Sequence, residues 1–384
     1  MAISAEERRE LILGAVRDLD GPVRLTDLAT HLGIPAVTVR RDVAELAEAG
    51  RLGRSHGFVS LGRPQADGRA DPRTGPGAGL SDPRTGPPAA ASGVRQYTLG
   101  LLVPSVGSYF DALIAGARAA ATAGGSHLIL GIAPYEAGDD RAQAERLLES
   151  GADGLLLTPN LGPDLTPGLA PGRAGREHDW LDTLPVPAVL VERGSPGYGT
   201  PGAGLDAVSS DHRHGVLLAL HHLAGLGHGS VLLAARGDSW TAREVRAGYE
   251  DGTRRLGLAP LPVLDTLGPD GRPTDPGELA RRIAEAAAEG VRAVLVHNDQ
   301  DAIQLPPLLR SHGLAVPDDL ALISYDDVFA ALAAPALTAV APPTRAVGET
   351  AVGLLLRRLA AGRELPVHRI SLLPGLSVRT SCGG

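Results

Sequence analysis

The sequence predicts an α/β protein: a small N-terminal segment of short helices and a hairpin, then a large two-lobed domain built on doubly wound parallel sheets. Three observations carry that prediction. Apolar residues from Leu25 to Leu46 recur at helical spacing on both sides of a glycine turn, and a short hairpin pattern follows them. From Tyr97 onward apolar runs alternate with helical segments, and the alternation restarts near Gly215. Between these two regions, residues 62–96 turn to Pro, Gly, Ala, Asp and Arg with almost no large apolar side chain.

In the first region Leu25, Leu28, Ala29 and Leu32 place one helical face inward, and Gly33 supplies the freedom for a sharp turn. Pro35 opens the next helix, where its missing N–H would have no partner in any case. Val39, Val43 and Leu46 point inward, which leaves Thr38, Arg40 and Arg41 on the other faces. An arginine fork grips a phosphate or the O6/N7 edge of guanine with two hydrogen bonds, so this helix suits the DNA major groove. Arg51 to Leu61 reads as a hairpin with its tip near Ser55-His56-Gly57, placed as a wing on the flanking backbone.

The run Thr38-Val39-Arg40-Arg41-Asp42-Val43-Ala44-Glu45-Leu46, then Ala49-Gly50-Arg51-Leu52 and Arg54-Ser55-His56-Gly57, resembles the winged helix-turn-helix of DeoR-family bacterial repressors over Arg8 to Leu61. Two positions depart from that pattern: Pro35 replaces the serine that usually opens the recognition helix, and Phe58 the second glycine of the wing tip. The resemblance implies operator DNA as a partner, with Thr38, Arg40, Arg41, Arg54, Ser55 and His56 as contacts.

A chain of 384 residues with 43% hydrophobic residues can bury more than one core, which suits a regulator of two or three domains. Every basic side chain other than histidine is arginine, and the net charge of −8 restricts any DNA contact to a local patch. Arg40, Arg41, Arg51, Arg54 and Arg63 supply one. The stretch Met1 to Glu10 is charged rather than apolar and no run approaches membrane-spanning length, so the expected location is the cytoplasm, without membrane contact. The single cysteine, Cys382, is expected to be an inert, frayed tail residue.

The division expected from composition is 1–61 for the DNA-binding domain, 62–96 for a disordered linker carrying Asp-Pro-Arg-Thr-Gly-Pro twice, and 97–384 for the sensor. In the sensor, strands are predicted at Tyr97–Pro104, His127–Ile132, Gly154–Thr158, Ser230–Ala234, Ala293–His297 and Leu320–Ser324. Helices are predicted at Tyr109–Ala123, Arg141–Ser150, Gly215–Leu226, Ala242–Leu256, Pro276–Glu289 and Asp301–His312. Open parallel sheets bind ligands beyond the carboxyl ends of their strands, so two facing lobes make a cleft.

From Thr98 to Thr380 the chain resembles the periplasmic-binding-protein-like (type I) effector domain of the LacI/GalR regulators of sugar and nucleobase genes. The likeness rests on Leu99-Gly100-Leu101-Leu102-Val103-Pro104, Tyr109 to Gly116, Asn298-Asp299-Gln300, Val316-Pro317-Asp318-Asp319-Leu320, Tyr325-Asp326-Asp327 and Pro335 to Val340. It implies three crossings between lobes, near 193–208, 328–341 and 361–367, and a C-terminal helix over Arg345 to Ala360 that returns to the first lobe. It also implies effector contacts at Tyr109, Phe110, Asn298 and Asp326, with Asp211 at the family's aspartate. Val245 stands where that family carries an arginine, and Arg243 or Arg246 is expected to reach the same space. Asn298 is one of only two asparagines in the chain, with a helix cap as its structural alternative.

The LacI hinge helix and the phosphosugar sensor of ordinary DeoR proteins are both missing, so the chain is read as a hybrid. The function implied is a ligand-responsive transcriptional repressor of carbohydrate uptake or catabolism, a homodimer with a small-molecule effector, a sugar first of all. A purine, nucleoside or protein effector stays open. A sugar-binding transport protein or a kinase-like enzyme is disfavoured, since no P-loop, Asp-x-Gly-x-Thr or Gly-x-Ser-x-Gly motif occurs. No cofactor, metal site or catalytic residue is expected; His212, His214, His221, His222 and His228 are read as scaffold.

Overall fold

In the computed structural model the described residues are 5–18, 23–24, 28, 32, 34, 38–39, 42–43, 46, 52–55, 58–61 and 96–383, apart from 108, 135–138, 160–177, 194–200, 269–270 and 363–364. The chain divides into two compact units, Met1–Ala89 and Ala90–Gly384.

The first unit opens with helix α1 (Ala5–Asp18) and holds strands β1 (Val23–Arg24), β2 (Leu52–Ser55) and β3 (Phe58–Leu61). Residues 28, 32, 38, 39, 42, 43 and 46 are helical. Strand β3 pairs antiparallel with β2, Ser55 opposite Phe58, and also with β1, a short third strand that the sequence reading lacks. Ile12, Leu13, Val16, Leu28, Val39, Val43, Leu46 and Leu52 form one small core. Of the inward set expected from helical spacing, Leu28, Val39, Val43 and Leu46 are buried and Leu32 packs against them half-buried, while Leu25 and Ala29 lie outside the described residues. Asp42 is buried beneath α1, taking a bidentate contact from Arg8, its Oδ1 at 3.0 Å from Nη2.

The second unit holds two six-stranded sheets. Sheet one comprises β4 (Thr98–Val103), β5 (His127–Ile132), β6 (Gly154–Leu157), β7 (Ala188–Val191), β8 (Asp206–Ser210) and β14 (Arg369–Leu372). Their order is β14-β8-β7-β6-β4-β5, parallel throughout. Sheet two comprises β9 (Leu232–Ala235), β10 (Leu264–Asp265), β11 (Ala293–His297), β12 (Ala321–Tyr325), β13 (Thr338–Ala341) and β15 (Gly375–Ser377). It runs β10-β9-β11-β12-β13-β15, with only β15 antiparallel.

Strand alternation divides the cores. Leu99, Leu101 and Val103 face helices α2 (Tyr109–Ala123) and α9 (Thr344–Ala361), while Leu102 joins Leu155 and Leu157 on the opposite face against α3 (Asp139–Glu149). In the second lobe Leu233 and Ala235 face α4 (His212–Gly225) and α5 (Trp240–Leu256), whereas Leu232 and Ala234 face α6 (Pro276–Ala288). Each fully buried leucine or valine contributes about 1.5–3 kcal/mol. Helices α2 and α9 meet through glycine: a Cβ on Gly348 would stand 2.2 Å from the Leu113 carbonyl oxygen, and one on Gly116 would stand 2.1 Å from that of Arg345.

Three sequence expectations change. The crossings between lobes fall at 210–212, 341–344 and 372–375, each later than 193–208, 328–341 and 361–367. The reason is that β8, β13 and β14 each pair with their sheet before the chain leaves it, and β14 and β15 are added at the sheet edges on the last two passes. The helix expected over Asp301–His312 is two, α7 (Asp299–Ala302) and α8 (Leu305–Ser311), because Pro306 and Pro307 offer no N–H to continue the first. Finally, Cys382 is not frayed. It is buried 3.0 Å from Thr338 Oγ1 and 3.2 Å from His222 Nε2, in a turn anchored where Ser381 Oγ accepts the Thr338 N–H.

Among the described residues no helix is long and apolar enough to cross a membrane, and no group of three His, Cys, Asp or Glu side chains is placed to hold a metal ion.

Candidate functional site

Carboxyl ends of parallel strands from both sheets converge on one cavity of about 250 Å³. Ser105 follows β4, Glu192 and Arg193 follow β7, Arg236 follows β9, Asn298 follows β11 and Asp326 follows β12. That is where an open parallel sheet leaves space, because the helices start to turn away there. Tyr109 and Phe110, in the first turn of α2, line it from the first lobe with rings edge to face at 5.2 Å. Val328 and Phe329 line it from the second. The cavity shares Tyr109, Asp326, Val328 and Phe329 with a neighbouring hollow of about 750 Å³ that runs past the second crossing at Pro342, Pro343 and Thr344.

Strain gathers at this rim. Glu192, Asp326 and Asp327 have φ values of 49, 96 and 55°, the left-handed region that costs a side-chain-bearing residue of order 1–3 kcal/mol. Such a cost persists only where surrounding contacts enforce it. For Glu192 they are Ser210 Oγ at 2.8 Å and the Ser210 N–H at 3.3 Å, with His212 Nε2 at 3.4 Å. For Asp327 they are Ser377 Oγ and Arg379 Nη1, both at 2.7 Å.

Most charges in the cavity are already satisfied. Arg193, itself buried, donates to the carbonyls of Glu192 at 2.7 Å and Thr158 at 3.0 Å. Arg236 pairs with Asp238, its Nε 2.9 Å from Oδ1. Asp299 Oδ2 accepts the N–H groups of Val328, Phe329 and Ala330 at 2.6, 2.8 and 3.2 Å. What remains is a set of buried atoms with no hydrogen bond of normal geometry: Tyr109 Oη, His297 Nδ1, Asp299 Oδ1 and Asp326 Oδ1. Buried polar atoms are ordinarily paired, so this cluster is where a polar ligand would find hydrogen-bond partners.

The electrostatics follow from burial. Burial and the neighbouring Asp299 and Glu192 push the Asp326 carboxyl well above its ordinary range. Burial, then Glu192 and Asp326, raise the Tyr109 phenol. Burial, aided by His212 and Arg236, lowers His297 to about 3, so its ring is neutral at physiological pH. Burial alone would raise Glu192, but the groups of His212 and Ser210 facing it hold it below the ordinary value.

The structure brings four of the six expected effector residues together: Tyr109, Phe110, Asn298 and Asp326 line the cavity. Asn298 also serves as the cap that was its structural alternative, Oδ1 accepting the Gln300 N–H at 3.2 Å. Asp211 and Arg243 do not join them. Asp211 caps α4, accepting the His214 N–H at 2.9 Å, and Arg243 lies over the Trp240 ring at 5.3 Å. Arg246 is tied to the carbonyls of Arg236 and Ala235 and to Asp265, at 2.7, 2.6 and 2.9 Å. The cavity's arginines are Arg193 and Arg236, each just after a strand rather than on the helix where the resemblance looked for one.

Glu192, Arg193 and His297 escaped the sequence reading as well. A strand signal existed in Ala188-Val189-Leu190-Val191, and the charged pair directly after it would have pointed to the first two.

In the N-terminal unit Thr38 is helical and half-buried. Arg54 and Ser55 lie in β2, while Arg40, Arg41 and His56 lie outside the described residues.

Comparison with known proteins divides along the same lines. Residues 8–64 match the DeoR-like helix-turn-helix domain and residues 220–382 the periplasmic binding protein-like domain. The chain is 27% identical over 350 residues to the HTH-type transcriptional regulator GalR of Escherichia coli K12, spanning 89% of this chain and 90% of that protein. It is 24% identical over 365 residues to the arabinose metabolism transcriptional repressor of Geobacillus stearothermophilus, covering 92% and 89%. Among solved structures, the Escherichia coli transcriptional repressor AscG superposes with a TM-score of 0.59 at 25% identity, covering 74% of this chain and 98% of that one.

Proposed function

We propose that a neutral polyhydroxy effector, a sugar, occupies the cleft of this chain, a ligand-responsive DNA-binding transcriptional regulator joining a DeoR-like helix-turn-helix domain to a LacI/GalR-type periplasmic-binding-protein-like domain. The observation that carries the reading is the pair of buried atoms without a hydrogen-bond partner, His297 Nδ1 and Asp326 Oδ1, beside the Tyr109 hydroxyl, in a cavity whose arginines are already engaged. Hydroxyls both donate and accept, so they satisfy such atoms, and Phe110 and Phe329 give an apolar face for the carbon skeleton of a ring.

Wall residues come from both lobes, so an effector bridging them stabilises the closed arrangement over the open one. That shift, passed through a homodimer to two readers, changes their affinity for operator DNA. The division we infer is a reader over 1–61, a tether over 62–96 and a sensor over 97–384, working in the cytoplasm by binding alone, as a repressor of carbohydrate genes. Thr38, Arg40, Arg41, Arg54, Ser55 and His56 are the proposed DNA contacts. The relatives named as repressors of arabinose metabolism and as GalR support this reading.

Thermal unfolding of the full chain with D-glucose, D-galactose, D-ribose, L-arabinose and cellobiose tests it. Binding confined to the folded state stabilises by about 2.7 kcal/mol at a hundredfold excess over Kd. At least one sugar is expected to raise the Tm of the native chain and to fail with Asp326→Ala. No shift with any of them overturns the sugar assignment.

A further inference from the structure

Of the buried cavity residues that the resemblance does not account for, Glu192, Arg193 and His297, the first two are engaged by protein groups and His297 is not. It ends β11, directly before Asn298, is 4% exposed and lines the cavity. Its Nδ1 is enclosed without a hydrogen-bond partner, an expensive state for a buried nitrogen. The ring is not simply filler. Its neighbour is Tyr325, at 5.4 Å and 65°, whose hydroxyl approaches His212 Nδ1 and the His212 carbonyl, each at 3.2 Å. His212 opens α4 at the first crossing and faces Glu192 of the other lobe. The imidazole therefore belongs to a buried polar series, His297, Tyr325, His212 and Glu192, whose two ends line the cavity and which spans the first crossing.

We propose that His297 is a specificity-determining effector contact, whose ring hydrogen-bonds a sugar hydroxyl beside the Asn298 and Asp326 positions and selects among epimers by where that hydroxyl points. The proposal rests on the sugar reading of the cleft. A neutral imidazole offers one donor and one acceptor on a planar ring, so it accepts a hydroxyl at a fixed angle. A site built to bond a hydroxyl discriminates strongly against an analogue that lacks it or turns it away, because the protein group is then left buried and unpaired. The surroundings keep it in that form: burial above all, and then His212 and Arg236, disfavour a positive charge on the ring.

The test compares the native full chain, His297→Ala, His297→Gln and Asp326→Ala. Affinities for D-glucose, its epimer D-galactose, D-ribose, L-arabinose and cellobiose are measured by calorimetric titration. His297→Ala is expected to weaken the preferred sugar by about tenfold or more and to narrow the preference between glucose and galactose. His297→Gln, which keeps one donor and one acceptor, is expected to restore much of the affinity with an altered order among the sugars. Far-ultraviolet circular dichroism and sugar-free binding to the DNA upstream of its own gene show whether each variant is folded. Unchanged affinity and order in folded His297→Ala, with binding still lost in Asp326→Ala, overturns the role of His297 and leaves the sugar reading standing. If no sugar binds the native chain, both are overturned.

Discussion

Glu192 Oε2 lies 3.4 Å from His212 Nε2, and both side chains are 1% exposed on opposite sides of the first crossing between the lobes. Glu192 directly follows a strand of the first sheet in a left-handed conformation, and His212 begins the first helix of the second lobe. A hinge bounded by a buried polar pair has a defined rest angle. Removing one partner from such a pair typically costs about 3–5 kcal/mol, because the other is left buried and unpaired.

Glu192→Gln is therefore expected to lower the stability of the sensor unit in denaturant titration by a few kcal/mol, well beyond an exposed control such as Glu145→Gln. Its pH dependence is also set. The folded carboxyl titrates below its unfolded value, so its contribution is present above about pH 4.3 and is lost as pH falls through the folded value. The difference between native chain and variant should be flat near neutrality and shrink in acid.

His297 acts over a different range. A base held at about 3 when folded and at about 6.5 when unfolded gives stability that is complete above pH 6.5. That stability is lost between 6.5 and 3, since the unfolded chain takes up the proton first, with a limiting slope of about 1.4 kcal/mol per pH unit. Native chain and His297→Gln, compared from pH 7 to pH 5, should diverge in slope with the native chain falling faster. Parallel curves would show that the imidazole titrates normally.

On the DNA side, replacing Arg40 and Arg41 by alanine is expected to abolish binding of a fluorescent duplex from upstream of its own gene while sugar affinity stays native. Each lost phosphate contact should reduce the slope of log K against log salt by about 0.9. Equal anisotropy titrations for variant and native chain would remove these residues from the interface.

The helix pair α2 and α9 offers a packing test within one helix. Gly348→Ala drives a methyl to 2.2 Å from a backbone oxygen and should destabilise by at least about 1–3 kcal/mol, whereas Gly353→Ala meets nothing within 4 Å. The second substitution should be neutral or stabilising by about 0.5–1 kcal/mol, since alanine gains over glycine in a helix interior. Urea midpoints for the two variants should move in opposite directions.

Local pattern was legible along the chain. Helix α2 and strands β5 and β11 have the ends that the periodicity of Tyr109–Ala123, His127–Ile132 and Ala293–His297 predicts. Strands β7, β8, β10, β13, β14 and β15 were missed. Each is five residues or shorter, and only the sheet around it gives it partners.

The site divides in the same way. Tyr109, Phe110, Asn298 and Asp326 could be named because aromatic, amide and carboxylate groups stand within recognisable motifs, and periodicity alone required that the strand ends open toward a ligand. Asp211 and Arg243 could not be told from ligands by type. Whether a carboxylate caps a helix or faces a cavity depends on a rotation of the helix that no local residue sets. Only the assembled sheets determine that Arg236, forty-four residues from Glu192, lines the same cavity. Only they determine that each crossing follows a strand paired into its sheet, and that His297 Nδ1 is buried without a partner. Periodicity is a property of neighbours in the chain, whereas burial, hydrogen-bond satisfaction and electrostatic environment are sums over atoms brought close by folding.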